Sequence, residues 1–283
     1  MTTWILEKDV FAYSCFDAMV AHFEAKAIPY DVVRIIPFIH EIEGKVPAVA
    51  DVNDVVVYGS VGSQKLAAKH AWKPGVFGTV DTFSEAVAER ELGSLYLNYG
   101  QFRMPIKKLG QTAHHWAKLM VPLHQPPLEE FFIKPDTDTK EFAGTVIKID
   151  EFGSWYTGLQ ESGYLDDNDF NVVISRPKKL GCEWRAVVVD GEISSCSIYR
   201  QYQRVMPELN IIPEVEAAIK EAISLYRPAD VFVIDICQVW RDDAWQYKVI
   251  EFNTFNSAGL YACDVTKIID DINAFLARKI SAA

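Results

Sequence analysis

VFVIDICQVW (231–240) and WQYKVIEFN (245–253) are two apolar, β-branched runs, each interrupted by one carboxylate: Asp235 in the first and Glu251 in the second. The polar residues Arg241, Asp242 and Asp243 separate them, so the pair reads as an antiparallel hairpin. A three-residue loop centred on Asp243 sets Asp235 directly opposite Glu251, and a two-residue loop moves the partner by one position. Glu251 and Asn253 are two apart and share a strand face. Two carboxylates on neighbouring strands repel unless a cation neutralises them. Hard oxygen donors without His or Cys suit Mg²⁺, which takes one or two carboxylates plus phosphate oxygens of its substrate. The alternative places both carboxylates on the solvent face of an amphipathic hairpin. The apolar runs around Asp235 and Glu251 favour the metal.

Upstream lie residues able to meet phosphate. FFIKP (131–135) ends an aromatic strand on Lys134, and DTDTKEFAGTVIK (136–148) follows, with Lys140, Gly144 and several threonines. A loop with hydroxyls, a glycine and flanking lysines can fold over a polyphosphate. There is no GxxxxGK[ST] motif. Solvated strand-end lysines are the ordinary alternative for Lys134 and Lys140. In Glu183-Trp184-Arg185 the two charged residues share a strand face and Trp184 points away. They read either as a structural ion pair or as a site where Arg185 meets a charged intermediate through its planar fork of donors. Arg200, one strand further, adds a second cation.

Further out, the β-rich region includes TVIKI (145–149), NVVISRP (171–177) and a hairpin turning at Asp190-Gly191. Pro213 to Tyr226 has helical apolar spacing, with Pro213 in its first turn and Pro228 beyond its end. Asp264 caps a last helix with the stripe Val265, Ile268, Ile269, Ile272, Phe275 and Leu276. The first ninety or so residues alternate strand (Trp4–Glu7, Tyr30–Pro37, Asp54–Tyr58) with helix (Asp17–Ala27, Gln64–Ala71), the order of a small α/β layer with a mostly parallel sheet. Gly59-Ser60 ends one of those strands, where α/β sheets often bind ligands, although a turn glycine followed by a capping serine explains it as well. Residues 94–128 are proline-punctuated and carry one helix around Ala113 to Met120. His114 and His115 diverge on that helix and read as surface.

The chain has 283 residues, 49% of them hydrophobic, and a net charge of −11. That balance is globular, and the acidity argues against life on a nucleic-acid backbone. No run approaches a membrane span, and the start lacks the basic and apolar regions of a signal peptide. Five dispersed cysteines without a CxxC pair read as reduced thiols, so a cytoplasmic location is expected.

The order FFIKP, Thr/Gly loop, strand ending Ser-x-Pro, EWR, strand with Asp235, strand reading Glu251-Phe252-Asn253 resembles the ATP-grasp superfamily over about residues 94–283. The compact EWR form, with Tyr199 after it and a Ser257-to-Tyr261 tail, is similar to a small ATP-grasp group that includes phage-borne members. The resemblance implies an ATP-grasp fold, α/β and α+β: an N-terminal α/β domain (1–93), a central lobe (94–178) and a C-terminal lobe with the Mg²⁺ site (179–283), the two α+β lobes clasping ATP. It implies that Lys134 touches the α- and β-phosphates and that loop 136–145 covers them with Lys140. Ser175 and Arg176 sit in the adenine hinge, and Lys118 is the candidate upstream lysine. Arg185 faces the γ-phosphate, with Arg200 beside it, and Asp235, Glu251 and Asn253 hold Mg²⁺. Many members carry a hinge glutamate for the ribose. Here the hinge reads ISRPKKLGCEWR, leaving Glu183 as the nearest acid.

The implied chemistry is ligation. A carboxylate is a poor electrophile, and phosphorylation by ATP gives an acyl-phosphate that an amine, or less often a thiol, attacks. The expected partners are small-molecule or peptide carboxylates and amines, with no membrane. A kinase of a small-molecule hydroxyl and a non-catalytic nucleotide-binding module are the alternatives. The five polar residues Lys134, Arg185, Asp235, Glu251 and Asn253 weigh against the module.

Overall fold

The structure, a computed structural model, describes all residues except 11–14, 37–38, 40, 80–81, 110–127, 137–141, 163–169, 203 and 283. The helix expected around Ala113 to Met120, and with it His114, His115 and Lys118, lies outside the described residues, as does Lys140. The chain forms two compact units. One joins Met1–Phe83 with Leu180–Ala283, and the other is Ser84–Lys179.

The first half of the discontinuous unit carries β1 (Thr3–Glu7), α1 (Phe16–Lys26), β2 (Tyr30–Val33), β3 (Ile35–Ile36), β4 (Glu41–Ile42), β5 (Val55–Tyr58), α2 (Val61–Lys69) and β6 (Pro74–Gly75). Strands β2, β1, β5 and β6 form a parallel sheet in that order. The strand expected over Tyr30–Pro37 divides: β2 joins this sheet, and β3 pairs instead with β4 as a small antiparallel ribbon. Central β1 and β5 are buried at every position, which is why they read as unbroken apolar runs rather than as alternating ones.

The continuous unit holds α3 (Glu85–Leu92), β7 (Phe102–Pro105), β8 (Glu130–Pro135), β9 (Thr145–Lys148), α4 (Phe152–Glu161) and β10 (Asn171–Ser175). Its antiparallel sheet runs β7-β10-β8-β9. It has its own core, in which Ile133, Val172 and Ile174 meet Phe152 of α4.

The second half of the discontinuous unit begins with β11 (Leu180–Val189), β12 (Glu192–Gln201) and β13 (Arg204–Leu209). It continues with α5 (Pro213–Leu225), β14 (Val231–Arg241), β15 (Ala244–Thr254) and α6 (Val265–Ala282). The sheet order is β13-β12-β11-β14-β15, antiparallel throughout. Asp190 and Gly191 both take positive φ, at 52° and 83°, and close the β11–β12 hairpin as expected. Asp264 caps α6: its carboxylate accepts the N–H groups of Thr266 and Lys267 at 3.1 and 3.0 Å.

This sheet and the N-terminal layer share one core. Val187, Val189, Val231 and Val233 on one face of the sheet pack in a single cluster with the α6 stripe and with Trp4, Leu6, Met19 and Phe23. Trp4 Nε1–H donates to Asn273 Oδ1 on α6 at 3.1 Å. Further along the same strands, that same face turns from apolar to charged.

Candidate active site

The β14–β15 hairpin turns on Asp242 and Asp243, both at positive φ (51° and 59°), with Arg241 paired to Ala244. The loop therefore has two residues, and from the turn up to Ile236 each partner is one position away from that of a three-residue loop. A bulge then intervenes: Ile236 pairs with Val249, Asp235 pairs with Glu251, and Ile250 is the extra residue. The bulge restores the opposition of the two acids.

Strand β11 extends this row, because Arg185 is the register partner of Asp235 on its other side. Arg185 grips Asp235 with two parallel bonds, Nε to Oδ1 at 2.8 Å and Nη2 to Oδ2 at 2.7 Å, and its Nη1 donates to the Gly259 carbonyl at 2.9 Å. Asp235 is only 1% exposed. Burial works against the Arg185 charge, but the Asp235 carboxylate outweighs it and holds the guanidinium's pKa well above its usual value. The sequence left open a Glu183–Arg185 ion pair. Instead, Glu183 accepts the Tyr199 hydroxyl at 2.6 Å and faces Arg200 Nη1 at 3.4 Å. Burial raises the Glu183 pKa against these two bonds. Burial also raises that of Tyr199 well above the tyrosine range, with the Asp235 and Glu183 charges adding to it.

Glu251 Oε1 accepts a bond from Asn253 Nδ2 at 3.2 Å. Each carboxylate oxygen has two acceptor positions, so Arg185 occupies one on each Asp235 oxygen and leaves a second on each. Asp235, Glu251 and the Asn253 amide oxygen thus fit a hard cation by donor type. Among the described residues no three His, Cys, Asp or Glu side chains cluster as a metal site, so two carboxylates and one amide are what this place offers. Three residues past Asn253, Asn256 is fully buried; its carbonyl accepts the Gly59 N–H at 2.8 Å and its side-chain oxygen accepts the Phe77 N–H at 2.9 Å. The Gly59-Ser60 turn is thereby tied to the segment that follows the acids. Gly59 is required there, because an added Cβ would stand 2.5 Å from Glu7 Cβ.

Residues 113–270, more than half of the chain, match the model of an ATP-grasp domain family, the second family of its clade. The chain belongs to this ATP-grasp family. The fold of this ATP-grasp protein is also that of solved ATP-grasp enzymes. D-cycloserine synthetase DcsG matches with a TM-score of 0.59 at 12% identity, over 98% of this chain and 99% of that one. D-alanine–D-alanine ligase from Bacillus anthracis matches at 0.58 and 14%, over 98% of both chains. The macrocyclase MdnC of Microcystis aeruginosa, bound with its precursor peptide MdnA, matches at 0.54 and 13%, over 98% of this chain and all of that one. At such identities the shared property is the fold, and the expected ATP-grasp architecture is confirmed. No curated protein sequence matches.

In the continuous unit of the ATP-grasp protein, Lys134 is buried rather than a solvated strand end, and its Nζ meets Glu85 Oε1 at 2.8 Å. Arg103 of β7 was not anticipated. It and Lys134 are both register partners of Val173, so they stand in one row of the sheet, on the same face. Arg103 bonds Asp136 at 2.7 Å and also Glu89, while its Nη2 is buried without a hydrogen-bond partner. Burial outweighs Arg103 and raises the Asp136 pKa. The only sequence signal for Arg103 was a short FRMP stretch in a region read as irregular. Ser175 ends β10, fully buried, and its hydroxyl accepts Lys178 Nζ at 2.9 Å and donates to the Arg176 carbonyl at 3.2 Å. Lys178 also reaches Asn98 Oδ1 at 3.0 Å.

Proposed function

We propose that this ATP-grasp protein is a Mg-ATP-dependent ligase that joins a carboxylate to an amine through an acyl-phosphate. The observation that carries the reading is the row Arg185–Asp235–Glu251 across three strands, with Asn253 beside it. Such a concentration of buried acid is stabilised by one arginine and has room for a cation. Asp235, Glu251 and Asn253 would hold Mg²⁺, which neutralises phosphate charge when bound. Lys134 and Arg103 would meet ATP phosphates. Lys134 would leave Glu85 to do so, and the unpartnered Nη2 of Arg103 gives it a spare donor. Ser175 and Arg176 would present the hinge main chain to adenine. Arg200, whose side chain is 45% exposed, is the cation beside the row with most access to an incoming anion. Glu183 holds both Tyr199 and Arg200, which makes it a supporting residue more than a ribose ligand.

In the reaction, a carboxylate oxygen of the substrate attacks the γ-phosphorus and ADP leaves. The amine nitrogen then attacks the acyl carbon, phosphate leaves, and the nitrogen gives up its proton as the C–N bond forms. The fold relatives support the class: several are ligases, and the ligase PsnB is seen with a phosphomimetic precursor variant, Mg and ADP. The substrates would be small amino acids or peptides. The test is trapping. With ATP, Mg²⁺ and a panel of amino acids and peptides, hydroxylamine in place of the amine should yield a hydroxamate with stoichiometric ADP. ADP release with a phosphorylated hydroxyl product and no hydroxamate would overturn the ligase reading.

A further inference from the structure

Tyr261 is an aromatic residue at φ 51°, in the left-handed region that side chains seldom adopt. Its neighbours over-determine it. Leu260 on one side is fully buried in the shared core, and the Ala258 carbonyl is held by the Tyr58 hydroxyl at 2.7 Å. The Tyr261 ring stacks on Tyr199 with centroids 4.6 Å apart and planes 12° from parallel. Arg185 Cζ lies 5.1 Å from the Tyr261 centroid and 5.6 Å from that of Tyr199. The carbonyl that takes the third Arg185 bond belongs to Gly259, two residues before Tyr261. One short segment thus bounds the guanidinium with a carbonyl and a ring, and Tyr199, fixed through its hydroxyl to Glu183, supplies a second ring.

We propose that Tyr261, backed by Tyr199, is a positioning residue: it holds the Arg185 fork against Asp235, and through Arg185 it sets the direction in which Asp235 offers its remaining acceptor positions to Mg²⁺. The proposal rests on the metal reading of Asp235, Glu251 and Asn253. Backbone strain collects at functional sites where the surroundings hold it, and groups that orient a metal ligand are tuned almost as closely as the ligand itself. A ring used only for packing has no need of a strained backbone. A ring that must lie along a particular guanidinium has such a need.

The test uses the full chain. Mg²⁺ is titrated into wild type, Tyr261→Gly, Tyr261→Phe and Glu251→Ala at fixed ADP, read by calorimetry and by the rise in melting temperature. Glycine is at ease at this φ, so Tyr261→Gly removes the ring without adding strain, and Tyr261→Asn, also tolerant of the left-handed region, serves if the glycine variant folds poorly. The expected result is a Mg²⁺ midpoint raised about tenfold in the ring-less variant. Its melting temperature without Mg²⁺ should stay near wild type, and Tyr261→Phe should restore the midpoint. A wild-type midpoint in the ring-less variant, while Glu251→Ala shifts it, overturns the positioning role alone. If Glu251→Ala also leaves the midpoint in place, the metal reading falls, and this inference with it.

Discussion

Arg185 commits three donors to two acceptors, Asp235 and the Gly259 carbonyl, and so converts a buried carboxylate into half of a neutral pair. Removing one partner of such a pair leaves an uncompensated charge, so Arg185→Ala should destabilise the protein by about 3–5 kcal/mol, measured by urea unfolding. Replacing both partners, Arg185→Met with Asp235→Leu, should recover much of that loss while abolishing any Mg²⁺ dependence. At this scale the sequence was informative about Asp235, Glu251 and Asn253, because charges inside apolar runs stand out and strand spacing fixes their faces. The partner of Arg185 was hidden. Adjacency in sequence suggested Glu183, but the choice of Asp235 depends on how β11 registers on β14, including an irregularity between Leu180 and Glu183. Nothing in the EWR triplet encodes that register.

Elements were legible where one local signal dominated. Asp264 before an apolar stripe predicts the start of α6, and its carboxylate accepts two backbone N–H groups there. The Thr266 hydroxyl and the Lys267 and Thr266 amides lower the Asp264 pKa. Asp264→Ala should therefore cost about 1 kcal/mol at neutral pH. A lowered pKa means that the folded state binds fewer protons than the unfolded one between the two values. The contribution is thus complete above the unfolded value of about 3.9 and is lost as pH falls through the lower folded value. Urea midpoints of wild type and variant should converge below about pH 4. The β14–β15 hairpin is the instructive near-miss. A two-residue turn at Asp242-Asp243 and a bulge at Ile250 together reproduce the pairing that a three-residue turn alone would give, since each displaces the partner by one. Helix α4 and strand β13 went unread. β13 is exposed at all six positions, so it carries no burial pattern, and α4 buries only Phe152 fully.

On the scale of the whole molecule, the chain leaves its first unit after Phe83 and returns to it at Leu180, and the N-terminal layer is completed by strands and a helix about a hundred residues or more downstream. Sequence order suggests consecutive domains, because periodicity reports which face of an element is apolar but not which distant element covers it. Trp4 shows the consequence: fully buried, it packs against Phe23 and Phe255 and bonds Asn273. Trp4→Ala should cost about 3–5 kcal/mol and lower the melting temperature of the C-terminal strands together with the N-terminal sheet, in one transition. Two separated transitions would mean that the halves do not share a core. Among the described residues no helix is long and apolar enough to cross a membrane. The central claim, that the Asp235–Glu251–Asn253 row is the metal end of an ATP site, is tested most directly by calorimetric titration of ATP into wild type and Glu251→Ala, each with and without Mg²⁺. The row predicts tight binding to wild type that depends on Mg²⁺, and loss of that dependence in Glu251→Ala. Equal, Mg²⁺-dependent affinity in both proteins would contradict it.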